Sequence, residues 1–295
     1  MFEAKADSAT TVYTAATSMP TPEAGMFEAK ADSATTVYTA ATSMPKPEAG
    51  AAVSFVPPYA CGADFEAQLR ESGSTVVAPA SLTEAVNCSA AELAALAPYW
   101  QDLPADAYLR DGGHYRFRRH SCFVAEAGNL RQVQHRAHWQ PLEYNALHGG
   151  IERWFEPIAA EVSRNQAWSR LLLGLAEIAS NLKGRQPWFI EAHQFRIDTT
   201  DGIGRPTPEG AHRDGVDLVA VLLVAREGVK GGESRVFDAT GPNGQRFTMS
   251  EPWTLLLLDD LRVIHETTPI QPTASHGHRD TLVVTLRAGG FIAPA

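Results

Sequence analysis

Gly210-Ala211-His212-Arg213-Asp214-Gly215 is the stretch on which a reading of this chain turns. On an extended segment residues i and i+2 point the same way, because side chains alternate across a strand. His212 and Asp214 therefore present an imidazole and a carboxylate together. A further histidine, His265, follows 53 residues on, at the end of a short β-rich run. Two imidazoles and one carboxylate on one face of a metal leave coordination positions open, the donor set of non-haem Fe(II) sites that activate O2. Arg279 lies 14 residues beyond His265 and opens a further β-rich run, with Thr281 on the same face. Iron chemistry with O2 draws electrons from a co-substrate. 2-Oxoglutarate chelates the metal through its keto-acid end, and its far carboxylate calls for a bidentate cation, the role proposed for Arg279.

Rival readings of the same residues are weaker. His-x-Asp occurs twice, but His278-Arg-Asp280 has no histidine after it to complete a set in that order. Both copies read His-Arg-Asp, yet a kinase catalytic loop needs an Asn five residues past the Asp. Those positions hold Val219 and Thr285. Arg279 paired with Asp280 at the surface, and His265 as a hydrogen-bonded barrel histidine, are the bland alternatives.

Downstream of Pro187 the chain is a series of short β-rich runs: 188–199, 216–225, 234–238, 253–258, 261–265 and 281–286. They are divided by Gly-Gly, Pro-Asn-Gly, Asp-Asp and Pro-Thr breaks. Strands at this spacing without helices between them predict a sandwich or jelly-roll barrel. Upstream, apolar residues at helical spacing predict helix across 151–183: Ile151, Trp154, Phe155, Ile158 and Val162, then Leu171 to Leu182 after an Asn165 cap and before Gly184. Ser81-x-x-Glu84 and Ser89-x-x-Glu92 both read as capping boxes. Arg116 to Arg119 alternate with aromatics, as on a strand. The fold class expected is α+β, a jelly-roll barrel preceded and buttressed by helices. Residues 51–295 form a single domain, with 51–186 mainly helical support and 187–295 the barrel core.

Residues 1–25 recur as 26–50 with one difference, Thr21 against Lys46. So close a copy is not a structural repeat, and its Ala/Thr/Ser composition predicts a disordered duplicated leader over 1–50. A net charge of −9 argues against a nucleic-acid partner. Three cysteines without a CxxC pair suggest neither zinc knuckle nor disulfide framework. No secretory signal or membrane-length apolar run is visible, so a cytoplasmic protein is expected.

From His193 to Leu286 the sequence resembles the bacterial Fe(II)/2-oxoglutarate dioxygenases that hydroxylate free L-amino acids, the L-isoleucine dioxygenase group. The blocks that carry the resemblance are His193-Gln194-Phe195-Arg196, His212-Arg213-Asp214, Gly231-Gly232-Glu233, Val263-Ile264-His265 with Thr268-Pro269, and Arg279-Asp280 leading into Leu282 to Thr285. It implies a double-stranded β-helix, iron on His212, Asp214 and His265, and 2-oxoglutarate on Arg279. It also implies hydroxylation of an aliphatic side chain with release of succinate and CO2, and methionine sulfoxidation as a companion activity. Ascorbate serves as reductant in vitro. Gln194 and Arg196 are candidates for the substrate pocket. Arg116, Arg118, Arg119 or Arg196 are candidates for the substrate carboxylate. A hydroxylase of a peptidyl side chain or a specialised metabolite, and a non-catalytic β-barrel binding module, are the competing classes.

Overall fold

Strand-forming and helix-forming runs alternate along the described chain, and the long strands end up side by side. The computed structural model describes residues 55–294, which lie in one compact unit; the duplicated segment 1–50 lies outside them. The helices are α1 (Phe65–Ser72), α2 (Pro79–Ala85), α3 (Ala90–Ala94), α4 (Ala160–Ser163) and α5 (Gln166–Lys183). The strands are β1 (Ser74–Val77), β2 (Arg116–Glu126), β3 (Asn129–Gln132), β4 (Trp188–Asp198), β5 (Leu218–Glu227), β6 (Val229–Gly231), β7 (Ser234–Asp238), β8 (Gly244–Phe247), β9 (Leu255–Asp259), β10 (Val263–Thr267), β11 (Ile270–Pro272) and β12 (His278–Arg287).

Seven strands form the larger sheet in the order β1-β9-β5-β12-β4-β2-β3. The second layer holds β10-β7-β8 and the pair β11-β6. Every pairing is antiparallel. This is the double-stranded β-helix that the resemblance implied, within the sandwich or jelly-roll class expected from the spacing of the β-rich runs. Alternation sorts each central strand into two faces. On β12, Leu282, Val284 and Leu286 join the core packed against α5, whose Leu171, Leu172, Leu175 and Ile178 are buried there. The opposite face carries Arg279, Thr281, Val283 and Thr285 into a cavity. A separate apolar cluster, including Val219, Leu223, Val236, Phe247 and Leu258, joins the two layers.

Three sequence expectations need correction. Residues 51–186 are not helical support alone: beside the helices, β1, β2 and β3 add three strands to the larger sheet. Residues 151–159 are not helix: Arg153 exchanges both backbone hydrogen bonds with His138, at 2.9 and 3.0 Å. Pro157 also disfavours helix at the residue before it. The apolar spacing there serves other ends, since Phe155 and Ile158 are buried while Trp154 is exposed. Ser81 caps nothing, because α2 begins at Pro79 behind Ala78. The second box is real: Ser89 Oγ accepts from the Glu92 N–H, and the Glu92 carboxylate accepts from the Ser89 N–H. Asn165 caps α5 through the Ala167 N–H at 2.8 Å.

Candidate active site

His212 lies outside the named strands, but an antiparallel bridge ties it to His265 on β10. Each backbone N–H donates to the other's carbonyl at 3.0 Å. The bridge brings the two imidazole centroids to 4.6 Å. Asp214 is aimed by the loop beneath it. The Asp260 carboxylate accepts the backbone N–H groups of Asp214, Gly215 and Val216 at 2.7–3.1 Å. Asp214 Oδ1 then lies 4.0 Å from His212 Nε2, and Oδ2 lies 3.8 Å from His265 Nε2. The donor atoms of all three residues fall within 4.8 Å of one another.

This set suits a borderline divalent cation such as Fe(II). His212 Nδ1 donates to the Gly210 carbonyl at 2.9 Å, which leaves the Nε2 lone pair facing the carboxylate. Burial pushes the Asp214 carboxyl up to about 6; His212 opposes the rise, and Asp260 and Glu209 add to it. A cation would relieve this crowding of buried carboxylates.

Arg279 is buried, and its Nε and Nη2 have no hydrogen-bond partner among the described residues. Burial, then the neighbouring Arg226, pushes its guanidinium down to about 10, still a cation at neutral pH. Orphaned charged nitrogens of this kind are costly unless a ligand pairs with them. Gly232 explains part of the pocket's shape. It has φ +66°, and a Cβ there would lie 2.9 Å from Arg226 Nη1 and 3.6 Å from Arg279 Cδ. Any side chain would crowd Arg226 and Ile270, whose Cγ2 would also lie 2.9 Å away, and would touch Arg279 without displacing it. Thr281, Arg279 and the three metal-donor residues line one cavity.

Residues 97–285 match the family model described as 2OG-Fe dioxygenase. The chain belongs to the 2OG-Fe dioxygenase family. It is an oxidoreductase of a family that uses Fe(II), 2-oxoglutarate and O2. Among solved structures, the dioxygenase is similar to a bsmA homolog from Methylobium petroleophilum PM1, at 54% identity over 81% of this chain and 98% of that chain, with a TM-score of 0.77. It shares its fold with IDO from Bacillus thuringiensis, at 18% identity over 78% and 99% of the two chains and a TM-score of 0.63. It also shares it with the Fe(II)/(alpha)ketoglutarate-dependent dioxygenase TqaL, at 18% identity over 78% and 89% and a TM-score of 0.60. No curated protein matches the chain. Among the described residues, no helix of the dioxygenase is long and apolar enough to cross a membrane.

The arginine candidates separate by strand face. Arg116 and Arg118 on β2 are buried and line the cavity with His193, Phe195 and Ile197 of β4. Arg116 donates to Asp106 at 2.7 Å. The Arg118 guanidinium sits between the Phe155 and Phe195 rings, 3.7 and 4.2 Å from their centroids. Arg119 points the other way, to Glu156 at 2.9 Å. Gln194 and Arg196 are also on the wrong face for the pocket, since they alternate with His193 and Phe195. Arg196 makes a bidentate pair with Asp280 at 2.8 and 2.7 Å. His278 sits 3.5 Å from the same Asp280, so the second His-x-Asp is part of a structural ion pair.

Sequence reading missed several groups in the dioxygenase cavity. Arg153, Gln140, His138 and Glu209 all line it. None sits in a recognisable motif, and Arg153 lay inside a segment expected to be helix. A second buried cluster, His120, His138, Glu191 and His193, lies beside the cavity with donor atoms close enough to share a cation. Hydrogen bonding accounts for it better. Glu191 Oε2 accepts from His120 Nε2 at 3.0 Å and His138 Nδ1 at 2.6 Å. Arg118 donates to His193 Nδ1 at 2.7 Å, so the ring proton stays on Nε2 and that nitrogen has no lone pair for a metal. Burial works to raise the Glu191 carboxyl, but His138 and His120 hold it well below the usual range.

Proposed function

We propose that this dioxygenase hydroxylates the side chain of a free L-amino acid with O2, one oxygen atom going to the side chain and the other to 2-oxoglutarate, which becomes succinate and CO2. His212, Asp214 and His265 hold Fe(II), and Arg279 takes the far carboxylate of 2-oxoglutarate, with Thr281 beside it. The observation that carries the reading is Arg279: two buried guanidinium nitrogens without partners, in the same cavity as a His/Asp/His cluster. Bound there, Fe(II) would let O2 act as the oxidant of an unactivated C–H bond, with 2-oxoglutarate supplying two of the electrons that O2 takes up.

The chain's own residues do the rest. Gly210 and Asp260 set the aim of His212 and Asp214. Asp214 occupies the position that a halide would need, which favours hydroxylation over halogenation. Val221 and Val283 give the cavity apolar wall, and a dry wall strengthens the charge interactions within it. Of the arginine candidates, Arg118, fixed between two rings, presents positive charge to a substrate carboxylate, while Arg116 is held by Asp106.

The test is a panel of the proteinogenic L-amino acids with Fe(II), 2-oxoglutarate and ascorbate, scored for succinate and for a product 16 mass units heavier. Coupled turnover of one or a few amino acids is expected, lost in Asp214→Ala. Succinate formation coupled only to a peptide or to a metabolite from cell extract would move the substrate to one of those classes.

A further inference from the structure

The cavity contains a second unpaired group of the opposite charge. Glu209 lines it, three residues before His212. Its Oε1 lies 3.7 Å from His212 Nε2, and its Oε2 is shielded from solvent with no hydrogen-bond partner. Among the described residues no arginine or lysine comes within 4.0 Å of it. Glu209 also stays outside the group of donor atoms formed by His212, Asp214 and His265. A shielded carboxylate oxygen without a donor is expensive, so a ligand that brings an N–H is the economical partner.

Positive charge stands near it on the same cavity wall. Arg118 and Arg153 are 4% and 2% exposed, and each has a buried Nε without a partner. Both feel the charge of Glu209. Asp106, the other carboxylate among these arginines, accepts from Arg116 at 2.7 Å and lies 3.7 Å from Arg118 Nη1. One carboxylate thus stands against the three guanidinium groups of Arg116, Arg118 and Arg153, and positive charge is left over. One anion site and one cation site lining the same cavity match a molecule that carries both charges.

We infer that the dioxygenase reads its substrate as a zwitterion, with the α-carboxylate on Arg118 and Arg153 and the α-ammonium on Glu209. This rests on the free-amino-acid reading above and makes it more specific. An N-acylated or peptide-bonded residue keeps one neutral N–H but loses the ammonium charge, and a desamino acid brings Glu209 no donor at all. A hydrogen bond to a charged group is worth roughly 1.5–3 kcal/mol, or about ten- to a hundredfold in affinity.

The experiment uses the full chain loaded with Mn(II) and 2-oxoglutarate. Three probes are titrated: the amino acid turned over in the panel, its N-acetyl derivative and its desamino acid. The wild type is expected to bind the amino acid at least about tenfold more tightly than either analogue. Glu209→Gln should erase the preference over the desamino acid and leave Mn(II) affinity within about threefold. Arg153→Gln should weaken the amino acid and the desamino acid alike, since both keep the carboxylate. The inference is overturned if the wild type binds the desamino acid equally well, or if Glu209→Gln keeps the preference. It is also overturned if Mn(II) affinity falls in step with substrate affinity, which would make Glu209 a servant of the metal. Coupled turnover of an amino acid with an indifferent Glu209→Gln removes only this inference. Turnover of no amino acid removes the proposed function beneath it.

Discussion

Gln140 and Asp214 meet through a 3.1 Å hydrogen bond in which the amide nitrogen donates to Oδ1. The other end of the same amide accepts from Arg153 Nη2 at 2.8 Å and Asn145 Nδ2 at 3.2 Å. An arginine can only donate, so the amide cannot flip. Gln140 thus links a metal-donor carboxylate to a cavity arginine and fixes how Asp214 is turned.

Gln140→Leu should therefore weaken metal binding by about ten- to a hundredfold, the usual cost of removing a partner behind a ligand. Mn(II) or Fe(II) titration without substrate measures this directly. Gln140→Glu should be worse, because it sets a carboxylate against a carboxylate. Unchanged metal affinity in Gln140→Leu would mean that Asp260 alone aims Asp214.

Arg279→Gln should raise the dissociation constant of 2-oxoglutarate by roughly a hundredfold, the loss of a charge-assisted bidentate pair. Arg279→Lys should recover part of it, because a lysine keeps the charge but not the fork. Metal affinity should stay within a few-fold in both. If instead 2-oxoglutarate binds Arg279→Gln normally, Arg226 is the arginine to examine.

Arg196→Leu should cost stability and leave substrate KM alone. Its bidentate partner Asp280 is buried, and breaking such a pair from one side costs about 3–5 kcal/mol. The denaturation midpoint should fall while KM for the amino acid holds. A raised KM with an unchanged midpoint would restore Arg196 as a pocket residue.

Acid should destabilise the dioxygenase through its buried histidines. Burial lowers His138 from 6.5 to about 4, against the opposing pull of Glu191. Between those two values the unfolded chain takes up a proton that the folded chain refuses, so stability falls as pH drops from 6.5 toward 4. At 1.36 kcal/mol per unit this amounts to ~3 kcal/mol for the whole window. His138→Gln keeps an N–H for Glu191 but cannot titrate. Urea midpoints between pH 7 and 4.5 should fall less steeply for the variant than for the wild type. Parallel slopes would assign the acid sensitivity to other groups.

The strand pattern after Pro187 was legible because alternation and turn residues are local properties. β7 matches its expected limits, and β4, β5, β9, β10 and β12 differ from theirs by a few residues. The short strands β6, β8 and β11 were not, since three or four residues carry too little pattern. The helical reading of 151–159 failed for a related reason. Apolar spacing says which residues are buried, not what they are buried against, and Phe155 is buried partly against the Arg118 guanidinium.

Local chemistry in the chain was enough to single out His212, Asp214, His265 and Arg279 as candidates, because their types and order follow from the chemistry of iron and a keto acid, whereas the bridge that joins His212 to His265 was not legible. It also showed that Arg279 and Thr281 share a face. Which arginine faces the cavity was decided by the fold alone. Arg116 and Arg118 face it, whereas Arg119, Arg196 and Gln194 do not, because β2 and β4 pair in a register that sets which of their residues point inward. Gln140, Arg153 and Glu209 reach the site from loops whose course depends on long-range packing, and no short window of sequence contains that information.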